Sequence, residues 1–235
     1  MSEFRLNNHQ IVPAKLEIPS PPPAFMRRPD VMDHICRLLD QKVTFIVAPL
    51  GCGKTCALVE CAMALTSPDE NGCEATPHVG WLSVDERDGD PEHFWSHVFA
   101  ALSIAENDNS ILENVLPLLQ GHIDSDCIDR LAASLFESQK FANTILMLDG
   151  VDLVQNEEID EQLVRFITYS PRGLHFLISA RKLSQKLERG AYNQGQLQLG
   201  YHDLFFSMSE TKNALEAVTN SYVMGGGLRK IALLS

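Results

Sequence analysis

Two stretches of this sequence could do chemistry together. The first is Gly51-Cys52-Gly53-Lys54-Thr55, which follows an apolar, β-rich run from Val43 and precedes an apolar helical pattern through Leu65. In a strand–glycine loop–helix arrangement, consecutive backbone N–H groups turn inward and form a nest for phosphate oxygens. Gly51 and Gly53 permit the backbone conformations and close approach that such a nest needs. Lys54 is expected to reach the β- and γ-phosphates of a nucleotide, and the Thr55 hydroxyl to sit on Mg²⁺. The helix opening there adds the positive end of its dipole. The nucleotide-binding residues on this reading are Pro49, Leu50, Gly51, Cys52, Gly53, Lys54, Thr55 and Cys56. The first position of the usual G-x-x-x-x-G-K-[ST] pattern is Ala48 here, and the competing reading is a chance match in a turn.

The second stretch is Thr144 to Asp152, an apolar run ending in Asp149-Gly150-Val151-Asp152. A continuous apolar strand suits the middle of a parallel sheet, buried on both faces, and ligands bind at the carboxyl ends of such strands. Asp149 is therefore expected to hold Mg²⁺ with Thr55, directly or through water. Asp152 is either a second carboxylate that orients or deprotonates an attacking water, or a cap for the next helix. No Glu follows Asp149, which points to slow hydrolysis. Arg181, at the end of the apolar run Leu174–Ser179, is either a reporter of the γ-phosphate or a surface salt bridge. The catalytic set expected is Lys54, Asp149, Asp152 and Arg181, with Thr55 and Asp149 as metal ligands.

Several elements must position these groups. Val43, Val79–Val84, Thr144–Asp149, Leu174–Ser179 and Leu197–Leu199 mark five strands alternating with helical patterns. That alternation predicts an α/β fold of the P-loop NTPase type, a mostly parallel five-stranded sheet flanked by helices. Asp90 caps a helix with Pro91 at its first position and a buried stripe of Phe94, Trp95, Val98, Phe99 and Leu102. The intervening acidic run, Asp85 to Asp90, reads as solvated surface, with a place near Mg²⁺ as the other reading for Asp85. His175 reads as a satisfied interior histidine. Ser207 and Glu210 fit a capping box for a helix through Val218, and Gly225-Gly226-Gly227 precedes an apolar helical run. Residues 1–24 read as an extended arm with a Pro-rich spacer, 25–207 as the P-loop core, and 208–235 as a helical segment that begins a winged-helix or lid region.

Composition sets outer bounds. The chain has 235 residues and a formal net charge of −12, which argues against broad nucleic-acid binding by this chain. No apolar run approaches the ~20 residues of a membrane span, and no apolar leader is present. The six cysteines contain no C-x₂-C pair and read as reduced thiols of a cytoplasmic protein.

These residues resemble a known family, the nucleotide-binding domain of signal-transduction ATPases with numerous domains (the STAND class), and within it the MalT-like regulators whose C-terminal domain is of LuxR type. The match rests on Lys15-Leu16-Glu17-Ile18-Pro19, Trp81-Leu82-Ser83-Val84-Asp85, Asp88-Gly89-Asp90-Pro91 with Phe94-Trp95, Leu148–Asp152 and Ser179-Ala180-Arg181. The resemblance implies ATP and Mg²⁺ as ligands, and Arg27 and Arg28 as further nucleotide-binding residues. It implies a slow ATPase acting as a switch, whose ATP state controls self-association or association with a full-length regulator. DNA binding is expected only through a domain absent from this chain. The family's second acid is Gly150 here, and its Gly-Trp-Pro stretch appears only as Gly225-Gly226-Gly227-Leu228. Two other readings remain at this point: a non-catalytic shortened relative acting as an interaction protein, and a P-loop kinase of a small molecule.

Overall fold

The apolar runs pair as parallel strands, and their pleat decides which side chains can meet. The computed structural model describes residues 5–6, 9–22, 25–28, 30–32, 35, 41–66, 76–138, 140–192, 197–205 and 210–211. Near the N-terminus β1 (Arg5–Leu6) and β2 (His9–Gln10) pair antiparallel. The main sheet contains four full strands, β3 (Val43–Val47), β4 (His78–Ser83), β5 (Thr144–Asp149) and β6 (Leu174–Ala180), and a three-residue edge strand, β7 (Leu197–Leu199). Their order is β4-β5-β6-β3-β7, and every pairing is parallel. The sequence expectation of a mostly parallel α/β sheet holds, with the fifth strand reduced to a short edge.

Helices cover the sheet, among them α1 (Lys54–Thr66), α2 (Pro91–Ala105), α3 (Asn109–Val115), α4 (Ser125–Ser138), α5 (Glu157–Tyr169) and α6 (Gln185–Tyr192). Residues alternate between two apolar layers, as a period of two requires. Leu146, Leu148, Phe176 and Ile178 face the layer built from α2, α4 and α5. Ile145, Met147, Leu177 and Ile46 face the layer built from α1 with Val31, Met32 and Ile35. In the first layer the stripe read from α2 is wholly buried, with the Trp95 and Phe166 ring centroids 4.9 Å apart. Trp95 Nε1–H donates to Gln162 Oε1 at 2.8 Å, so the indole N–H is not stranded in the core. His175 Nδ1 lies 2.9 Å from the Gln41 carbonyl, the satisfied interior histidine expected of it.

Two turns depart from the sequence reading. The acidic run after β4 is not simply solvated surface, because Asp88 is fully buried. Lys15 pairs with Asp88 and lies 3.2 Å from Asp85, and His97 Nδ1 of α2 lies 3.0 Å from the other Asp88 oxygen. Val12 N–H donates to His97 Nε2 at 3.2 Å, so that nitrogen is the acceptor and the ring proton of a neutral imidazole sits on Nδ1, toward Asp88. The polar N-terminal stretch is therefore docked at residues 11–16, with Ile11 and Leu16 in the larger apolar layer. Asp152 does not cap the following helix. Asn156 caps α5, its side chain accepting from Glu158 N at 2.9 Å.

Ser207, the helix expected through Val218, Gly225-Gly226-Gly227-Leu228 and the apolar run to Leu234 lie outside the described residues, as do Cys36 and Cys73. Cys52, Cys56, Cys61 and Cys127 are free thiols. Among the described residues no helix is long and apolar enough to cross a membrane.

Removing one partner of a buried ion pair leaves the other charge uncompensated. Asp88→Ala is therefore expected to destabilise the chain by about 3–5 kcal/mol in a urea titration, because it leaves the buried Lys15 ammonium with only the more exposed Asp85 and removes the carboxylate facing His97 Nδ1. Burial alone would raise the Asp88 carboxyl, but His97 and Lys15 outweigh it and hold the group below its ordinary value of 3.8. A carboxylate depressed in the folded state adds stability above that ordinary value and loses it as pH falls through the folded one. The urea midpoint should fall below about pH 4 in the wild type, and Asp88→Ala should flatten that fall.

Candidate functional site

The phosphate loop sits at the carboxyl end of β3, where its sequence demands a reversal. Gly51 and Gly53 adopt φ of +82° and +80°, the left-handed region that disfavours a side chain. Pro49 and Leu50 are exposed on the rim, with Leu50 84% exposed at the tip. Cys52 is half-buried within the loop, and Thr55 and Cys56 lie in the first turn of α1. Burial, then the Asp149 and Glu60 charges, push the Cys56 thiol up, so it stays protonated near neutrality. Lys54 Nζ–H donates to the Ala48 carbonyl at 2.7 Å and the Pro49 carbonyl at 3.0 Å, folding the ammonium over the loop.

The acid strand comes to the same level. β6 lies between β3 and β5, so Asp149 stands two strands from the loop. The pleat places Asp149 on the face where Ile145 and Met147 meet α1, and its reach is toward Thr55. Thr55 Oγ1–H donates to Asp149 Oδ2 at 2.8 Å, and Ser179 Oγ–H of β6 donates to Asp149 Oδ1. The carboxylate is held from both sides.

These two groups fit a magnesium ion. They are hard oxygen donors 2.8 Å apart, close to the ~2.9 Å edge of an octahedron with metal–oxygen distances of about 2.0–2.1 Å. Among the described residues no cluster of three or more His, Cys, Asp or Glu is gathered for a metal. That matches the habit of Mg²⁺, which takes one or two protein ligands and completes its shell with phosphate oxygens and water.

Beyond Asp149 the chain turns through Gly150, at φ +87° and ψ +36°, into a 3₁₀ turn over Val151–Leu153. A Cβ at Gly150 would lie 3.3 Å from Leu153 Cδ1 in a conformation L residues rarely adopt. The position that could have carried a second acid is thus a backbone reversal. Its effect is to bring Asp152 beside β6. Arg181 N–H donates to Asp152 Oδ1 at 2.8 Å, and Arg181 Nε–H pairs with Asp152 Oδ2. The two expected catalytic residues hold each other, and both Asp152 oxygens are engaged. The pair lines a cleft of about 460 Å³ with Lys182, Ser184 and Asp160.

Arg27 and Arg28 lie apart from this constellation in their contacts. Arg27 is exposed. Arg28 donates through its guanidinium to the Leu204 carbonyl at 2.8 Å, the Phe205 carbonyl at 2.6 Å and Glu210 Oε1 at 3.0 Å. Its backbone N–H donates at 2.6 Å to Glu60 of α1, whose carboxyl is raised by burial. Arg28 therefore ties three parts of the chain together. Sequence reading missed Ser179 as a partner of Asp149. The available signal was a small polar residue in a strand face that is otherwise apolar, level with the acid across the sheet.

Replacing Gly150 by Ala forces a side chain into that left-handed turn. Gly150→Ala is expected to destabilise the chain by about 1–2 kcal/mol in the same urea titration, where a glycine with ordinary dihedrals would be neutral or better on substitution.

No family model matches the chain. Curated relatives do match, among them two with the description HTH-type transcriptional regulator MalT. The protein from Serratia proteamaculans is 24% identical over 204 residues, covering 86% of this chain and 21% of the relative. The protein from Yersinia pestis is 24% identical over 213 residues, covering 90% and 22%. The chain spans about a fifth of the length of these relatives. A solved structure of C. elegans PCH-2 covers 88% of this chain and 50% of its own, with 14% identity and a TM-score of 0.48. The phosphate loop, the acid at the end of β5 and the parallel sheet agree on a nucleotide-binding fold of the P-loop type, and the chain is similar to MalT over most of its length.

Proposed function

We propose that this domain binds ATP with Mg²⁺ and acts as a regulatory switch, with slow hydrolysis as its reset. The observation that carries the reading is the Thr55–Asp149 edge at the mouth of the phosphate loop. A bound Mg²⁺ would supply charge neutralisation between the β- and γ-phosphates, held by Thr55 and Asp149. Lys54 exchanges its loop carbonyls for phosphate oxygens, a stronger charge-assisted partnership. The nest formed with Gly51 and Gly53 donates the remaining N–H groups.

Slow turnover follows from the same geometry. A fast hydrolase needs a free carboxylate to orient or deprotonate water, and Gly150 carries none. The Asp152 oxygens are both occupied by Arg181. Arg181, at the end of β6 and bonded to Asp152, would read the γ-phosphate on this proposal. A lost charge-assisted bond there is worth about 1.5–3 kcal/mol, enough for a roughly ten- to hundredfold preference for the ATP state. Similarity to transcriptional regulators supports coupling that preference to self-association, or to association with a longer regulator whose DNA-binding part is not in this chain. The Asp152–Arg181 pair also favours a second reading, a domain that binds nucleotide and partners without turning it over.

The test is a thermal-melt series with ATP–Mg²⁺, ADP, GTP–Mg²⁺ and no ligand, on the wild type and on Lys54→Ala. A ligand at a hundredfold excess over its Kd stabilises by about 2.7 kcal/mol, which for a domain this size raises Tm by roughly 5–10 °C. Adenine nucleotides should give this rise, and Lys54→Ala should abolish it. No rise with any nucleotide would sink the reading. Single-turnover hydrolysis then separates the slow switch from the non-hydrolysing binder.

A further inference from the structure

Ser179 plays no part in the steps above, yet it is fully buried directly behind Asp149. The register sets Asp149 opposite Ser179, and both lie on the face toward α1. Hydrogen-bond inventory fixes where the hydroxyl proton goes. Gly150 N–H donates to Ser179 Oγ at 3.0 Å, so the hydroxyl's own hydrogen is committed to Asp149 Oδ1. The other oxygen, Oδ2, is left toward Thr55.

The hydroxyl is not needed to satisfy the backbone. Gly150 N–H also reaches the Ser179 carbonyl, at 3.2 Å, as part of the β5–β6 pairing. Leu177, two residues earlier on the same face, is fully buried and apolar. An apolar residue at 179 would therefore leave the strand pairing intact. What it would remove is the hydroxyl donor to Asp149 Oδ1, freeing the carboxylate to rotate about its side-chain torsions.

We propose that Ser179 is a positioning residue that fixes the plane of the Asp149 carboxylate, so that Oδ2 and the Thr55 hydroxyl present one edge to the divalent cation of a nucleotide complex. Ser179 acts through Asp149 and touches neither the ion nor the nucleotide. Partners of this kind behind a metal ligand commonly change metal affinity by about 10–100-fold when removed. The inference rests on the nucleotide-binding reading.

The experiment measures ATP affinity by calorimetric titration with MgCl₂ and again with EDTA, on the full chain, for the wild type, Ser179→Ala and Ser179→Cys. The quantity read is the gain in affinity that Mg²⁺ confers. Ser179→Ala should lower that gain by about 10–100-fold and leave the EDTA affinity unchanged. Ser179→Cys keeps the size but offers a weak donor, and should fall between; it also serves if the alanine variant does not fold. A separate readout is Mn²⁺ binding to the ADP complex by electron paramagnetic resonance, which should weaken in parallel. A merely structural role predicts equal loss with and without Mg²⁺, and that outcome overturns the proposal, as does a full Mg²⁺ gain in Ser179→Ala. If the wild type binds no ATP under either condition, the nucleotide-binding reading itself has failed and the inference falls with it.

Discussion

The Asp149 carboxylate meets the Thr55 hydroxyl because three neighbouring parallel strands end at one level, with the same pleat phase. β3 delivers the phosphate loop, β5 delivers the acid, and β6 between them sets the spacing. Side chains alternate across a strand, so a one-residue slip of β5 would send Asp149 into the layer occupied by Leu146 and Leu148. That layer is predominantly apolar, and a carboxylate placed there without partners would cost several kcal/mol. Register is thus enforced by the two apolar layers. That enforcement places the backbone of the site, and the Thr55 and Ser179 hydroxyls then hold the Asp149 carboxylate within it.

The ends of the domain are fastened differently, by charge. Lys15, Asp88 and His97 form a buried polar knot that docks residues 11–16 against α2 and the loop after β4. Arg28 joins α1, through Glu60, to Leu204, Phe205 and Glu210. Neither knot lies in the phosphate loop, but each touches an element that frames it: α1 begins at Lys54, and Val84, beside Asp85, donates its N–H to the Asp149 carbonyl at 2.9 Å. Buried charge pairs are weak sources of stability compared with apolar packing, but they tolerate only one arrangement. They suit chain segments that must sit in a defined place without a large apolar face.

The central features were legible because they rest on local chemistry. GxGKT between a β-rich run and a helical pattern has the local chemistry of a loop opening a helix, and the apolar run to Asp149 has the composition of a strand covered on both sides. Asp90 and Pro91 announced α2 through the requirements of a helix N-terminus. What could not be read were side-chain pairings across distant strands. Nothing local tells Asp88 that Lys15, 73 residues away, will neutralise it, so an acidic run reads as solvated surface. Ser179 likewise looks like an ordinary strand serine until β5 and β6 are set in register. Arg28 sits beside an equally basic Arg27, and only the folded chain shows which of them is drawn to the carbonyls of Leu204 and Phe205.

Gly150 ties these strands of argument together. A second acid at this position would need extended or helical backbone, and the left-handed reversal found there accepts glycine best. The reversal in turn delivers Asp152 to Arg181, two strands' ends joined by one carboxylate. A site arranged for rapid turnover would keep a carboxylate free to act on water. Here the carboxylates are spent on position: Asp149 between Thr55 and Ser179, Asp152 on Arg181. Position is what a switch requires, because its output is the difference in free energy between two bound states and not the number of turnovers. On the proposed switch reading, Arg181 would supply that difference most sharply with its geometry fixed before the nucleotide arrives, since ordering it afterwards would subtract from the interaction.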